Sequence, residues 1–164
     1  MNNRYRLCDY SAALSRRPDA AAEISGSGEF PRIKGRVSFY AAGCAVLVAA
    51  EIKGLPTDMP GCQRQIFAFH IHEGESCTGN AADAFADVGA HYNPDNREHP
   101  FHAGDLPPLF SENGYSFSAF LTRRFSLNEI LGKTVIIHSG ADDFSTQPSG
   151  NAGSKIACGR IEKC

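Results

Sequence analysis

Six histidines, His70, His72, His91, His99, His102 and His138, fall between positions 70 and 138 of a 164-residue chain. A single histidine is an ordinary core or surface residue, but this grouping has the makings of a metal centre. His70 and His72 stand two apart in Phe69-His70-Ile71-His72. On a strand, residues i and i+2 share a face, so both imidazoles can point at one ion. His91, His99, His102 and Asp105 offer three neutral nitrogens and one carboxylate, a set that suits tetrahedral zinc. Four protein ligands leave no open position, which is the mark of a structural ion. His138 closes the apolar run Val135-Ile136-Ile137 and can join His70 and His72 from a neighbouring strand. An all-nitrogen, tetragonal arrangement with an open side favours copper.

These side chains need a scaffold, and strand signals dominate the chain. β-branched and aromatic residues recur in short blocks separated by Gly, Pro, Asn and Asp. The blocks predict strands over 22–29, 33–40, 44–52, 66–73, 115–121, 133–138 and 156–161. Alternation is clearest in Arg36-Val37-Ser38-Phe39-Tyr40 and in Tyr115-Ser116-Phe117-Ser118-Ala119-Phe120, as in an antiparallel sheet with one face buried. Ser126 and Glu129 fit a capping box for one short helix over 126–131. The segments 74–108 and 139–154 fit neither pattern. Long irregular stretches in a small domain are usually functional or disordered, and these two hold or border the histidines.

The size is that of one domain, and 42% hydrophobic content is enough for a single core. A net charge of −2 with 21% charged residues argues against a nucleic-acid binder or a charged disordered tail. Residues 1–36 nevertheless hold seven Lys/Arg against four Asp/Glu. Residues 1–21 are therefore expected to form a basic, disordered extension ahead of a domain over 22–164. The longest apolar run, Cys44–Ala50, is far short of the ~18 residues of a membrane span. Arg4, Arg6, Asp9, Arg16 and Arg17 interrupt the first twenty residues, unlike a secretory signal, and the expectation is a cytoplasmic protein. None of the six cysteines (Cys8, Cys44, Cys62, Cys77, Cys158, Cys164) shows C-x-x-C spacing, and spacing alone fixes no pairing.

Taken together, the chain resembles the copper/zinc superoxide dismutases. The resemblance is carried by Phe69-His70-Ile71-His72-Glu73, Gly89-Ala90-His91-Tyr92-Asn93-Pro94, His99, His102-Ala103-Gly104-Asp105-Leu106, His138 with Ala141-Asp142-Asp143, and Gly150-Asn151-Ala152-Gly153-Ser154 with Ala157-Cys158-Gly159. These run in the family's order from about Ile24 to Ile161, and the form of the 77–87 loop is similar to bacterial members. The resemblance implies an eight-stranded Greek-key β-barrel, a flattened sandwich whose two long loops form the site, with one strand not placed by the pattern. It implies copper on His70, His72, His91 and His138, and zinc on His91, His99, His102 and Asp105, so that His91 serves both ions. Asp142 would orient one histidine of each set, and Cys77 with Cys158 would form a disulfide. Closing a loop of roughly 80 residues contributes on the order of 3–5 kcal/mol. The implied activity is superoxide dismutation: one superoxide reduces copper and leaves as oxygen, and a second reoxidises it and leaves, with two protons, as hydrogen peroxide. His91 would deliver a proton. The substrate is the one partner implied; a second copy of the chain is left open.

Three departures bear on rate. Lys155 stands where the family usually carries an arginine beside the copper; it keeps the charge but not the planar fork, so weaker orientation of superoxide and reduced activity are expected. The Asp143–Gly150 stretch is shorter than in animal members and lacks their charged cluster. Phe67 occupies a place where animal members carry another histidine. Two rivals remain: a non-enzymatic copper/zinc-binding protein of the same fold, and a β-sandwich merely stapled by zinc, which leaves His70, His72 and His138 unexplained.

Overall fold

A computed structural model describes residues 10–57 and 65–164. Short amphipathic segments with tight turns fold here as antiparallel strands: β1 (Ala20–Gly26), β2 (Lys34–Ala42), β3 (Ala45–Lys53), β4 (Ile66–Phe67), β5 (Phe69–His72), β6 (Leu109–Phe110), β7 (Tyr115–Thr122), β8 (Thr134–His138) and β9 (Lys155–Lys163). Seven form one curled sheet in the order β5-β8-β9-β1-β2-β3-β7, and β4 pairs with β6 in a two-stranded ladder. β4 and β5 are two halves of the single strand expected over 66–73. The chain changes partner at Ala68, whose N–H donates to Gly140 O at 2.7 Å. Counted as one strand, they make eight, and the Greek-key β class holds. The strand the pattern did not place is β6, two residues long and so without room for alternation.

The core is the face on which Val37, Phe39, Val48, Ile52, Phe69 and Ile137 meet, all fully buried. Of the apolar run at 44–50, Val46–Ala50 is buried on both faces, while Cys44 is exposed. Val46, Val48 and Ala50 enter the core, while Leu47 and Ala49 pack outside it with Tyr40. Ala13 and Leu14 of α1 (Tyr10–Leu14) cover that outer cluster. The expected boundary after residue 21 is therefore corrected. β1 starts at Ala20, residues 10–21 belong to the fold, and Asp19 ties them down by accepting Ala41 N–H at 2.7 Å. The disorder expected of residues 1–9, and the cysteines Cys8 and Cys62, lie outside the described residues. β1 also ends earlier than expected, because the chain turns at Ser27, whose carbonyl accepts Phe30 N–H at 2.9 Å. The capping box forms at α2 (Leu127–Ile130), where Ser126 N–H and hydroxyl both donate to the Glu129 carboxylate at 2.6 Å.

β5 is an edge strand of the large sheet, and the irregular segment 74–108 covers that edge. Tyr92 N–H donates to Ile71 O and Ile71 N–H to Gly104 O, both at 2.8 Å. Single backbone bridges thereby set His72 opposite His91 and His70 opposite Asp105. Cys77 and Cys158 are disulfide-bonded, tying the same segment to β9.

Candidate metal centre

Two groups of ligand atoms converge within 4.8 Å each: His70, His72, His91 and His138, and His91, His99, His102 and Asp105. His70 and His72 come from β5, His138 from the end of β8, and the rest from the covering segment. None of these residues is more than 6% exposed. Every residue the sequence singled out for the two ions is thus brought to one place, and His91 belongs to both groups.

Hydrogen bonds fix which ring edge carries the lone pair. Asp142 Oδ2 accepts from His70 Nε2 and Asp142 Oδ1 from His99 Nε2, both at 2.9 Å. Those Nε2 atoms carry the protons, which leaves Nδ1 of each ring free to ligate. His72 Nδ1 donates to Gly89 O at 2.9 Å and His138 Nδ1 to Gly153 O at 3.3 Å, leaving both Nε2 atoms free. These two Nε2 atoms face each other at 3.4 Å. Around the second group, His91 Nδ1 lies 2.8 Å from Asp105 Oδ1 and 3.4 Å from His102 Nδ1. His99 Nδ1 lies 3.1 Å from Asp105 Oδ2 but without hydrogen-bond alignment. Buried polar atoms normally find partners, yet His70 Nδ1, His91 Nε2 and His99 Nδ1 have none among the described residues. The orphans are the lone pairs aimed into the two groups, so the residues fit metal ions.

Burial favours the neutral rings that ligation needs. Desolvation holds His70 below its ordinary value, His72 well below it, and His138 down at about 3. Burial alone would raise Asp142, but hydrogen bonds from His70, the Phe144 N–H and His99 bring it to about 2. Asp105 is likewise lowered against its burial, chiefly by the bond to His91. Both carboxylates are held in the ionised form, Asp142 accepting from two rings and Asp105 presenting its oxygens to the second ligand group.

Three supports carry no signal in the sequence on their own. Arg124 Nη1 donates to the carbonyls of Pro100, His102 and Asp105 at 2.9, 3.0 and 3.2 Å, gathering the turn that carries the second group. Gln147 grips the His99 peptide from both sides, donating to its carbonyl at 2.7 Å and accepting its N–H at 3.0 Å. Gly150, at φ +70°, sits where an added Cβ would come within 2.0 Å of Asp142 Oδ1.

The family model for copper/zinc superoxide dismutase matches residues 33–161. The chain belongs to the copper/zinc superoxide dismutase family. It is 33% identical to Superoxide dismutase [Cu-Zn] 2 of Aquifex aeolicus over 92% of this chain and 91% of that one. It is 37% identical to Superoxide dismutase [Cu-Zn] of Photobacterium leiognathi over 71% and 72% of the two chains. A crystal structure of a double mutant of a superoxide dismutase-like protein from Bacillus subtilis superposes with a TM-score of 0.71 at 31% identity, covering 87% of this chain and 96% of that one. As a copper/zinc superoxide dismutase family member, the chain has His and Asp groups able to bind the metals the family name implies.

Lys155, expected beside the copper, is the cross-strand neighbour of His138 where β9 begins. Its ammonium is not free: Nζ is ion-paired with Asp83 at 2.5 Å. Asp83 was not singled out by the sequence, because 72 positions separate the partners and only the fold joins them.

Proposed function

We propose that the protein is a superoxide dismutase, with copper on His70, His72, His91 and His138 and zinc on His91, His99, His102 and Asp105. The observation that carries this reading is His91, one ring with Nδ1 in the Asp105 group and an unpartnered Nε2 on its other edge. Bound copper would supply the one-electron redox chemistry that turns two superoxide ions and two protons into oxygen and hydrogen peroxide; zinc does no redox chemistry.

The chain's own part is to hold rings, charge and protons in place. His70, His72 and His138 keep their lone pairs aimed inward because Asp142, Gly89 and Gly153 fix their other nitrogens. His91 would stay anchored through Nδ1, so that its Nε2, when not holding copper, could carry one of the two protons the reaction consumes. Lys155, at the same cleft, is the cation that a small anion would meet there, shared with the carboxylate of Asp83.

The test is metal content of the reconstituted protein, read together with superoxide dismutation before and after copper alone is removed. One copper and one zinc per chain, with activity lost when copper leaves, is expected. Zinc uptake without copper or activity would overturn the reading and leave a zinc-stapled relative.

A further inference from the structure

A cleft of about 960 Å³ opens onto His72, His91 and His138. Apart from histidines, the ionisable residues lining it among the described residues are three carboxylates, Glu29, Glu73 and Asp83, and a single cation, Lys155. That is a poor field for drawing in an anion, and the one cation is already engaged. Lys155 is 17% exposed and Asp83 38%, so the pair sits at the water-facing wall of the cleft rather than in the core.

Asp83 is held rigidly. Its Oδ1 accepts the Phe85 N–H at 3.0 Å, its own N–H donates to Asn80 Oδ1 at 3.1 Å, and its carbonyl accepts the Asn80 and Ala86 N–H groups at 2.9 and 3.2 Å. The segment bearing it is fastened by Cys77 to Cys158, three residues along β9 from Lys155. Carboxylate and ammonium are thus presented to each other by two elements that are themselves tied together.

We infer that Asp83 is a specificity-determining residue that competes with small anions for Lys155 and so sets how strongly the cleft binds them. An incoming anion must share or displace the Asp83 carboxylate to reach the ammonium. This inference rests on the copper reading above and names the residue that governs its ligand's access. It also bears on Lys155: a shorter reach of positive charge would follow from the partner as much as from lysine standing in place of arginine.

The probe is azide, a small anion, titrated into copper- and zinc-loaded protein and followed by the visible absorption and electron paramagnetic resonance of copper. Asp83→Asn keeps the Oδ1 acceptor for Phe85 and replaces the charged Oδ2 facing Lys155 with a neutral amide NH2 that cannot accept from the ammonium. It should tighten azide binding about two- to fivefold, the range a partly exposed ion pair can supply. In a Lys155→Gln background the same change should have little effect, because Asp83 acts through the lysine. Imidazole at pH 8, mostly neutral, should bind all four proteins alike, which a merely structural role for Asp83 would not predict. Unchanged azide affinity in Asp83→Asn overturns the inference, and so does an equal gain with and without Lys155, which would make Asp83 a simple repelling charge. Protein that takes up no copper overturns the copper reading itself, and this inference with it.

Discussion

Replacing Gly150 with alanine should break the link between the two ligand groups from a position that ligates nothing. The added Cβ would lie 2.0 Å from Asp142 Oδ1 and 2.6 Å from His99 Nε2, where ordinary contact begins at 3.4 Å. Carboxylate and methyl must separate by about 1.4 Å, which breaks the 2.9 Å bond to His99 and turns Asp142 away from His70. Each hydrogen bond to a charged group lost is worth about 1.5–3 kcal/mol. A non-glycine residue at φ +70° adds on the order of 1–2 kcal/mol. The expected result is a zinc affinity lowered about 10- to 100-fold, as for loss of a residue that orients a ligand, with a lower urea midpoint. Chelator competition measures the first and equilibrium unfolding the second. Asp142→Asn, which cannot accept from both rings, should match it. Zinc affinity within twofold of the parent and an unmoved midpoint would refute the view that the carboxylate bridge orients the rings.

Two further outcomes can be measured on the metal-free protein. The histidines buried neutral, His70, His72 and His138, are held below their ordinary value of 6.5, His138 at about 3, so the unfolded chain binds more protons than the folded one as the pH falls below 6.5. Their contribution is present above pH 6.5 and lost below it, by up to about 1.4 kcal/mol per pH unit for each group; a urea midpoint that holds steady or rises from pH 7 to 5 would contradict this. Replacing Cys77 and Cys158 together with alanine opens a loop spanning 81 positions, worth about 4–5 kcal/mol in the chain-entropy account. A urea unfolding free energy within 1 kcal/mol of the parent, an error allowance of the order seen in such extrapolations, would show that the bond stabilises little.

What could be read from the sequence was what acts over short range. Blocks of β-branched and aromatic residues between turn residues located the long strands to within three residues, and the i, i+2 spacing of His70 and His72 placed both rings on one face. β6 escaped because two residues cannot alternate. The start of the fold was misplaced because Ala13 and Leu14 count as core only once Leu47 and Ala49 need a cover on the outer face. Asp83, Arg124 and Gln147 went unread for a different reason. They act on partners 72, 22 and 48 positions away, Arg124 and Gln147 through carbonyls and an N–H that every residue possesses, so no residue type at the receiving end announces them.

Asp142 and His91 each serve both ligand groups, one through two oxygens and the other through two nitrogens. With copper and zinc bound as proposed, loading of the two ions would be a linked equilibrium. An ion that fixes these two side chains in one group has already ordered part of the other, and the free energy of that coupling is the same whichever ion comes first. Under the proposed copper and zinc reading, a chain offered both metals is expected to fill more completely than a chain offered one. The ratio of zinc affinities with and without copper would read the strength of this coupling directly, a ratio of one meaning that the shared residues transmit nothing.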